Sequence, residues 1–233
     1  MKLTKKEVRK TLNKKIFQLN DIIADIDSLL TRMETDFFRV SIFGSARLKA
    51  DTEAYQMVYD LAKQLALKGV DIVTGGGPGL MDAANKGAKD GGTLARSIGL
   101  PIELPFEVDA NLHLDVKRQH RRFSSRLDEF MRISHAVVVT PGGIGTLLEL
   151  FYTWQLIQVK HIRPRPILLL GGEKMWPDLM KWIKKWPLEM NLLSEKDMEN
   201  IVFCKSVNQA INILKPEIEI FQKRAAGRER NLT

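Results

Sequence analysis

Two glycine-rich turns and a nearby glutamate hold the residues of this sequence best suited to chemistry. The turn Pro141-Gly142-Gly143-Ile144-Gly145-Thr146 follows the β-branched run 137–140 and leads into LLELFYTWQL, whose apolar residues have helical spacing. Pro141 fixes its own φ, while the glycines let backbone approach a ligand closely. A helix starting there presents unpaired N–H groups and a partial positive charge, which suits a phosphate or a carboxylate. A second turn, Gly75-Gly76-Gly77-Pro78-Gly79, stands between strand candidate 70–74 and the helical stretch LMDAANKGAKDG. Neither turn spells G-x-G-x-x-G or G-x-x-x-x-G-K-[ST], so dinucleotide and Walker-type triphosphate sites fall away. A single phosphate group or a mononucleotide remains. Glu149, three residues beyond Thr146 and expected in the first helical turn, has two readings. With Thr146 it makes a capping box, or it is a carboxylate held ionised beside a phosphate ester, placed to grip sugar hydroxyls or activate water. Arg126 would lie on the helix before the central strand, either solvated or turned to the ligand, and periodicity does not choose between it and Arg122.

The elements that position these residues follow from hydrophobic periodicity. Residues 37–43 read as the first core strand, closing on Gly44, Ser45 and Ala46, and residues 52–68 read as a helix ended by Gly69. The strand 70–74, helix 80–90 and a strand at 93–98 come next, then a loop at 99–116 that contains His113. Helix 119–133 opens on Arg118, Arg121 and Arg122. Beyond the central turn come strand 166–170, helix 176–186, strand 201–204 and a last helix 207–214. Alternating segments of this length imply an α/β, Rossmann-like, mostly parallel sheet with helices on both faces. In such sheets ligands sit at the carboxyl ends of the strands. Ahead of the sheet, Val8, Leu12, Ile16, Leu19, Ile23, Ile26, Leu30 and Met33 form one stripe of an amphipathic helix, with Thr4 and Glu7 as its capping box. Residues 1–35 are therefore expected as an amino-terminal helical arm, 36–215 as a single nucleotide-binding domain, and 216–233 as a charged tail.

Composition narrows the function classes. A chain of 233 residues, 44% hydrophobic, suits one such domain with extensions. No apolar run approaches the roughly 20 residues that cross a bilayer, so the expectation is a cytoplasmic protein without membrane contact. One cysteine, Cys204, in the apolar IVFC segment, reads as a buried small hydrophobe. Lys+Arg 36 against Asp+Glu 28 gives a net charge of +8, a field that gathers anions. The basic residues are scattered and no nucleic-acid-binding motif accompanies them, so small phosphorylated ligands fit better than polynucleotides.

The segments GGGPGLMDAANKGA, SIGLPIELPFEVDAN and FSSRLDEFMRISHAVVVTPGGIGTLLELF resemble the LOG family of phosphoribohydrolases, whose signature is PGGxGTxxE. The likeness spans residues 39–170 and leaves the arm outside. It implies a Rossmann-like homodimer or higher homo-oligomer, with no metal or organic cofactor. It also implies hydrolysis of the N-glycosidic bond of a purine nucleoside 5′-monophosphate, AMP or an N6-modified AMP, to free base and ribose 5-phosphate. The catalytic pair would be Arg126 and Glu149. Substrate-binding positions would be Gly44 and Ser45, then Gly76, Gly77, Gly79 and Met81, then Gly142, Gly143, Gly145 and Thr146. Leu127 departs from the pattern, since lysine is common there. Proteins of related fold carry a phosphate-bearing group such as molybdenum cofactor without hydrolysing it, and this is the alternative. Lysine decarboxylation, a label such proteins often bear, would need a pyridoxal-binding lysine, and none stands in a recognisable context.

Overall fold

Aliphatic runs too short for helices become seven strands, and the amphipathic stretches between them become the helices that cover both faces. This computed structural model describes residues 5–33, 37–103, 110–173 and 175–229. The elements are α1 (Lys5–Met33), β1 (Arg39–Phe43), α2 (Glu53–Ala66), β2 (Asp71–Thr74), α3 (Leu80–Asp90), β3 (Ser97–Gly99) and β4 (Val116–Lys117). There follow α4 (Phe123–Ile133), β5 (Ala136–Val139), α5 (Ile144–Gln158), β6 (Ile167–Leu170), α6 (Met175–Ile183), α7 (Glu195–Met198), β7 (Ile201–Cys204) and α8 (Val207–Glu229). A π-helical turn, Lys184–Leu188, joins α6 to the segment before α7.

All pairings are parallel, in the order β4-β3-β2-β1-β5-β6-β7. The order reverses between β1 and β5, so the corners after these two strands lie side by side, where open α/β sheets open a crevice. Alternate strand residues face opposite layers. Val40, Ile42, Ile72, Val138 and Leu168 pack with α2, α3 and α8, while Phe43, Val73, Val137, Val139 and Leu169 pack with α4, α5 and α6. Phe43 and Phe130 meet edge to face, with ring centroids 4.9 Å apart.

Several elements differ from expectation, four of them for identifiable reasons. The strand expected from residue 93 begins at Ser97, because Gly91 caps α3 and Gly92, at φ +99°, extends the turn. The two-residue strand β4 is too short to show periodicity. Helix α4 starts at Phe123 instead of Gln119, since the N–H groups of Arg118 and His120 are spent on the carbonyls of Gly99 and Pro101. Helix α8 does not stop at Leu214; it passes Pro216 and continues to Glu229. Beyond the proline, Ile218 is buried in the core and Phe221 packs edge-on against Phe38 and His135, contacts that hold the helix together. The tail expected from residue 216 is thus helical as far as Glu229. Cys204 is buried, and burial pushes its thiol up to about 11.

Residues 1–36 and 37–233 form separate compact units. The first holds α1, and its expected capping box at Thr4 and Glu7 lies outside the described residues. Among the described residues, no helix is long and apolar enough to cross a membrane.

Candidate active site

The corners after β1, β2 and β5 are tied to one another by backbone hydrogen bonds. Ser45 N–H donates to the Pro141 carbonyl at 3.0 Å, and Leu80 N–H donates to the Ser45 carbonyl at 2.9 Å. Two glycines make this approach possible. A side chain at Gly44 would collide with Thr140 and Leu80, and one at Gly79, whose φ is +71°, would collide with the backbone of Ser45 and Ala46. A cleft of about 610 Å³ opens where the corners meet. Gly44, Ser45, Gly76, Gly77, Met81, Gly143, Gly145, Thr146, Arg126 and Glu149 all line it. Gly79 and Gly142 do not. The first joins two corners, and the second leaves room for the Thr146 side chain. Gly143 and Gly145 have open space where a side chain would stand, which leaves their backbone bare to a ligand.

The second turn rests on a buried polar network. Gly76 N–H donates to Thr74 Oγ1 at 2.9 Å, and Thr74 Oγ1 donates to Asn85 Oδ1 at 2.6 Å. Asn85 Nδ2 donates to Ser97 Oγ at 2.9 Å, and Asn111 Nδ2 donates to the Gly77 carbonyl at 3.0 Å. Buried polar groups paired in this way stiffen the loop they support.

Arg126 and Glu149 face each other across the cleft, Nη2 to Oε1 at 3.5 Å. That is ion-pair range, and too long for a strong hydrogen bond. Arg126 is fixed from behind. Its Nε donates to the Leu100 carbonyl at 2.7 Å, its guanidinium lies 5.2 Å from the centre of the Phe130 ring, and it passes over Gly75, where a side chain would collide with it. Glu149 is 9% exposed. Burial raises its carboxyl to about 7, against the lowering effect of Arg126. Burial likewise lowers Arg126, while Glu149 opposes that shift. Glu149 therefore changes charge near neutral pH, where a proton acceptor or donor is most useful.

The capping-box reading of Glu149 fails. Helix α5 begins at Ile144 with Gly143 as its N-cap and no side-chain cap bond, so Glu149 sits in the second turn, not the first. Arg122 is the exposed N-cap of α4, whereas Arg126, one turn further on, reaches the cleft. Leu127 is buried on the inner side of α4, so an apolar residue occupies the position where lysine is common. Arg47, Phe123, Pro101 and Ile102 also line the cleft and were not singled out in the sequence. Only their place beside the glycine corners marks them. His113 stands apart, 3.7 Å from Asp82, and does not line the cleft.

A larger hollow of about 750 Å³ lies by the corners after β6 and β7. Among the described residues its wall carries the carboxylates of Glu53 and Glu173 and one cation, Lys205, a poorer setting for a phosphate. The smaller cleft has the glycine corners and the Arg126–Glu149 pair.

A family model described as "Possible lysine decarboxylase" matches residues 81–214. A cytokinin riboside 5′-monophosphate phosphoribohydrolase of Arabidopsis thaliana is 26% identical over 188 residues, covering 79% of this chain and 85% of that protein. The pyrimidine/purine nucleotide 5′-monophosphate nucleosidase of Escherichia coli K12 is 34% identical over 129 residues, which are 49% of this chain and 27% of that one. The solved molybdenum cofactor binding protein of Rippkaea orientalis has the same fold, with a TM-score of 0.58 at 21% identity over 78% of this chain and 98% of that chain. With PGGxGTxxE intact at 141–149 and the family model matching more than half of its length, the chain belongs to the LOG family.

Proposed function

We propose that this protein hydrolyses the N-glycosidic bond of a nucleoside 5′-monophosphate, AMP or an N6-modified AMP, giving the free base and ribose 5-phosphate. One observation carries the reading. A glutamate poised to ionise near pH 7 faces an anchored arginine in a cleft walled by bare glycine backbone. The family and the activities named for its relatives point the same way.

In this reading the N–H groups at the start of α5, together with Thr146, hold the 5′-phosphate, each charge-assisted bond contributing about 1.5–3 kcal/mol. The sugar then lies beside Glu149. As the bond from C1′ to the base nitrogen breaks, its electron pair leaves with the base and positive charge builds on the ribose. The Glu149 carboxylate stabilises that charge and takes a proton from the attacking water, whose oxygen bonds to C1′. The departing base gains a proton from solvent. Arg126 holds Glu149 in place and turns its remaining donors to the ligand.

Purified protein offered a panel of nucleoside monophosphates is expected to release ribose 5-phosphate, with kcat/KM rising towards a plateau above about pH 7 as Glu149 ionises. Glu149→Ala is expected to reduce release to background. Equal release by wild type and variant would overturn the assignment. Tight ligand binding without turnover by the wild type would favour a carrier instead.

A further inference from the structure

The arm helix α1 lies before residues 81–214, the segment that matches the family, so its role must be read from its own residues. It runs 29 residues and leaves a row of large apolar side chains about half exposed: Ile16 52%, Leu19 57%, Ile23 55% and Ile26 49%. Such a row on a helix of this length needs a partner surface.

Charge says which partner. Lys5, Lys6, Arg9, Lys10, Lys14 and Lys15, with Glu7 among them, crowd the first half, while Asp21, Asp25 and Asp27 outnumber Arg32 in the second. The first half of the helix is therefore net basic and the second half net acidic. A second copy alongside in the same direction would set basic half against basic half. A second copy in the opposite direction sets each basic half beside an acidic one.

We propose that α1 is a self-recognition helix that pairs antiparallel with α1 of a second copy of this chain. A crossing centred on residue 21 brings Ile16 level with Ile26 of the other copy and Leu19 level with Ile23, so the exposed row is buried by its own repeat. Part of the attraction is electrostatic, so the pairing weakens as salt shortens the screening length, about 10 Å at 0.1 M.

Single-cysteine substitutions in the full chain test the pairing and its direction under oxidising conditions. A mixture of Ile16→Cys and Ile26→Cys chains is expected to form a disulfide between unlike chains, with Ile16→Cys alone forming little. Adding Leu19→Asp and Ile23→Asp should reduce that product to background while the thermal unfolding of residues 37–233 stays unchanged, separating lost pairing from lost folding. Higher salt should lower the yield. Ready cross-linking of Ile16→Cys to itself, or no disulfide in the mixture although the chain is folded, overturns the proposal.

Discussion

Arg126 reaches Glu149 only because position 75 carries no side chain. A Cβ there would collide with the guanidinium and sit 2.7 Å from Met81 Sδ. Since φ at Gly75 is not positive, Gly75→Ala acts through this contact and not through backbone strain. It is expected to displace Arg126 and lower kcat roughly 10²-fold, as misplacements of about 1 Å do, with the sheet left intact. An unchanged kcat for ribose 5-phosphate release would mean that the arginine's position is irrelevant. Arg47 acts by a different route. Arg126 and Glu149 offset each other, so Arg47 is the remaining cation on the cleft wall among the described residues. Being exposed, it is worth about 1 kcal/mol to a bound phosphate, and Arg47→Ala should raise KM for the monophosphate roughly fivefold while leaving the nucleoside without phosphate unaffected. The glycines of both turns are legible in the sequence because their chemistry is local. The choice of Arg126 over Arg122 is not, because it depends on where α4 begins, and that is set by the hydrogen bonds of residues 118 and 120 to the carbonyls of Gly99 and Pro101.

The loop after β2 keeps its shape through residues borrowed from other elements. Asn85, from the middle of α3, is fully buried and joins Thr74 at the end of β2 to Ser97 at the start of β3, while Asn111 reaches in from the loop before β4. Along the sequence Asn85 looks like any polar helix residue. Its burial appears only when α3 packs on the sheet, whereas the helix itself, 80–90, is legible from apolar spacing alone. Asn85→Ala would leave the hydroxyl hydrogen of Thr74 without its acceptor, while Gly76 N–H still donates to Thr74 Oγ1 and Ser97 Oγ keeps the Asn85 carbonyl; a buried donor left unpaired costs about 1–3 kcal/mol. The expected result is a lower urea midpoint with an unchanged slope, together with weaker phosphate binding, because Gly76 and Gly77 lose their support. A variant with the wild-type midpoint would show that the network adds nothing. Helix α8 teaches the same lesson from the other direction. Pro216 is a local stop signal, yet burial of Ile218 and the packing of Phe221 beyond it outweigh the lost hydrogen bond.

At the scale of the whole molecule, two buried groups push stability in opposite directions with pH. Glu149 has its carboxyl raised to about 7 by burial, so the folded state holds a proton that the unfolded chain, near 4.5, has given up. Its contribution is fully present below about 4.5 and is lost as pH rises through about 7. His135 is lowered to about 4, by burial first and then by Arg39 and Arg165, and stays neutral between Phe38 and Phe221. Its contribution is present above about 6.5 and is lost as pH falls through about 4. Each shift is worth about 3 kcal/mol at full extent, and the two windows overlap almost completely. Asp115 and Asp197 are lowered from 3.8 and act below this range. Wild-type stability is therefore expected to stay nearly level from about pH 4.5 to 6.5. Glu149→Gln keeps the side chain's volume and removes its titration, which leaves the histidine slope exposed. The variant should gain stability steadily as pH rises across that window, measured as urea midpoints at a series of pH values. Parallel profiles for the two proteins would show that Glu149 does not carry a raised carboxyl, and the pH dependence proposed for its catalysis would fail with it.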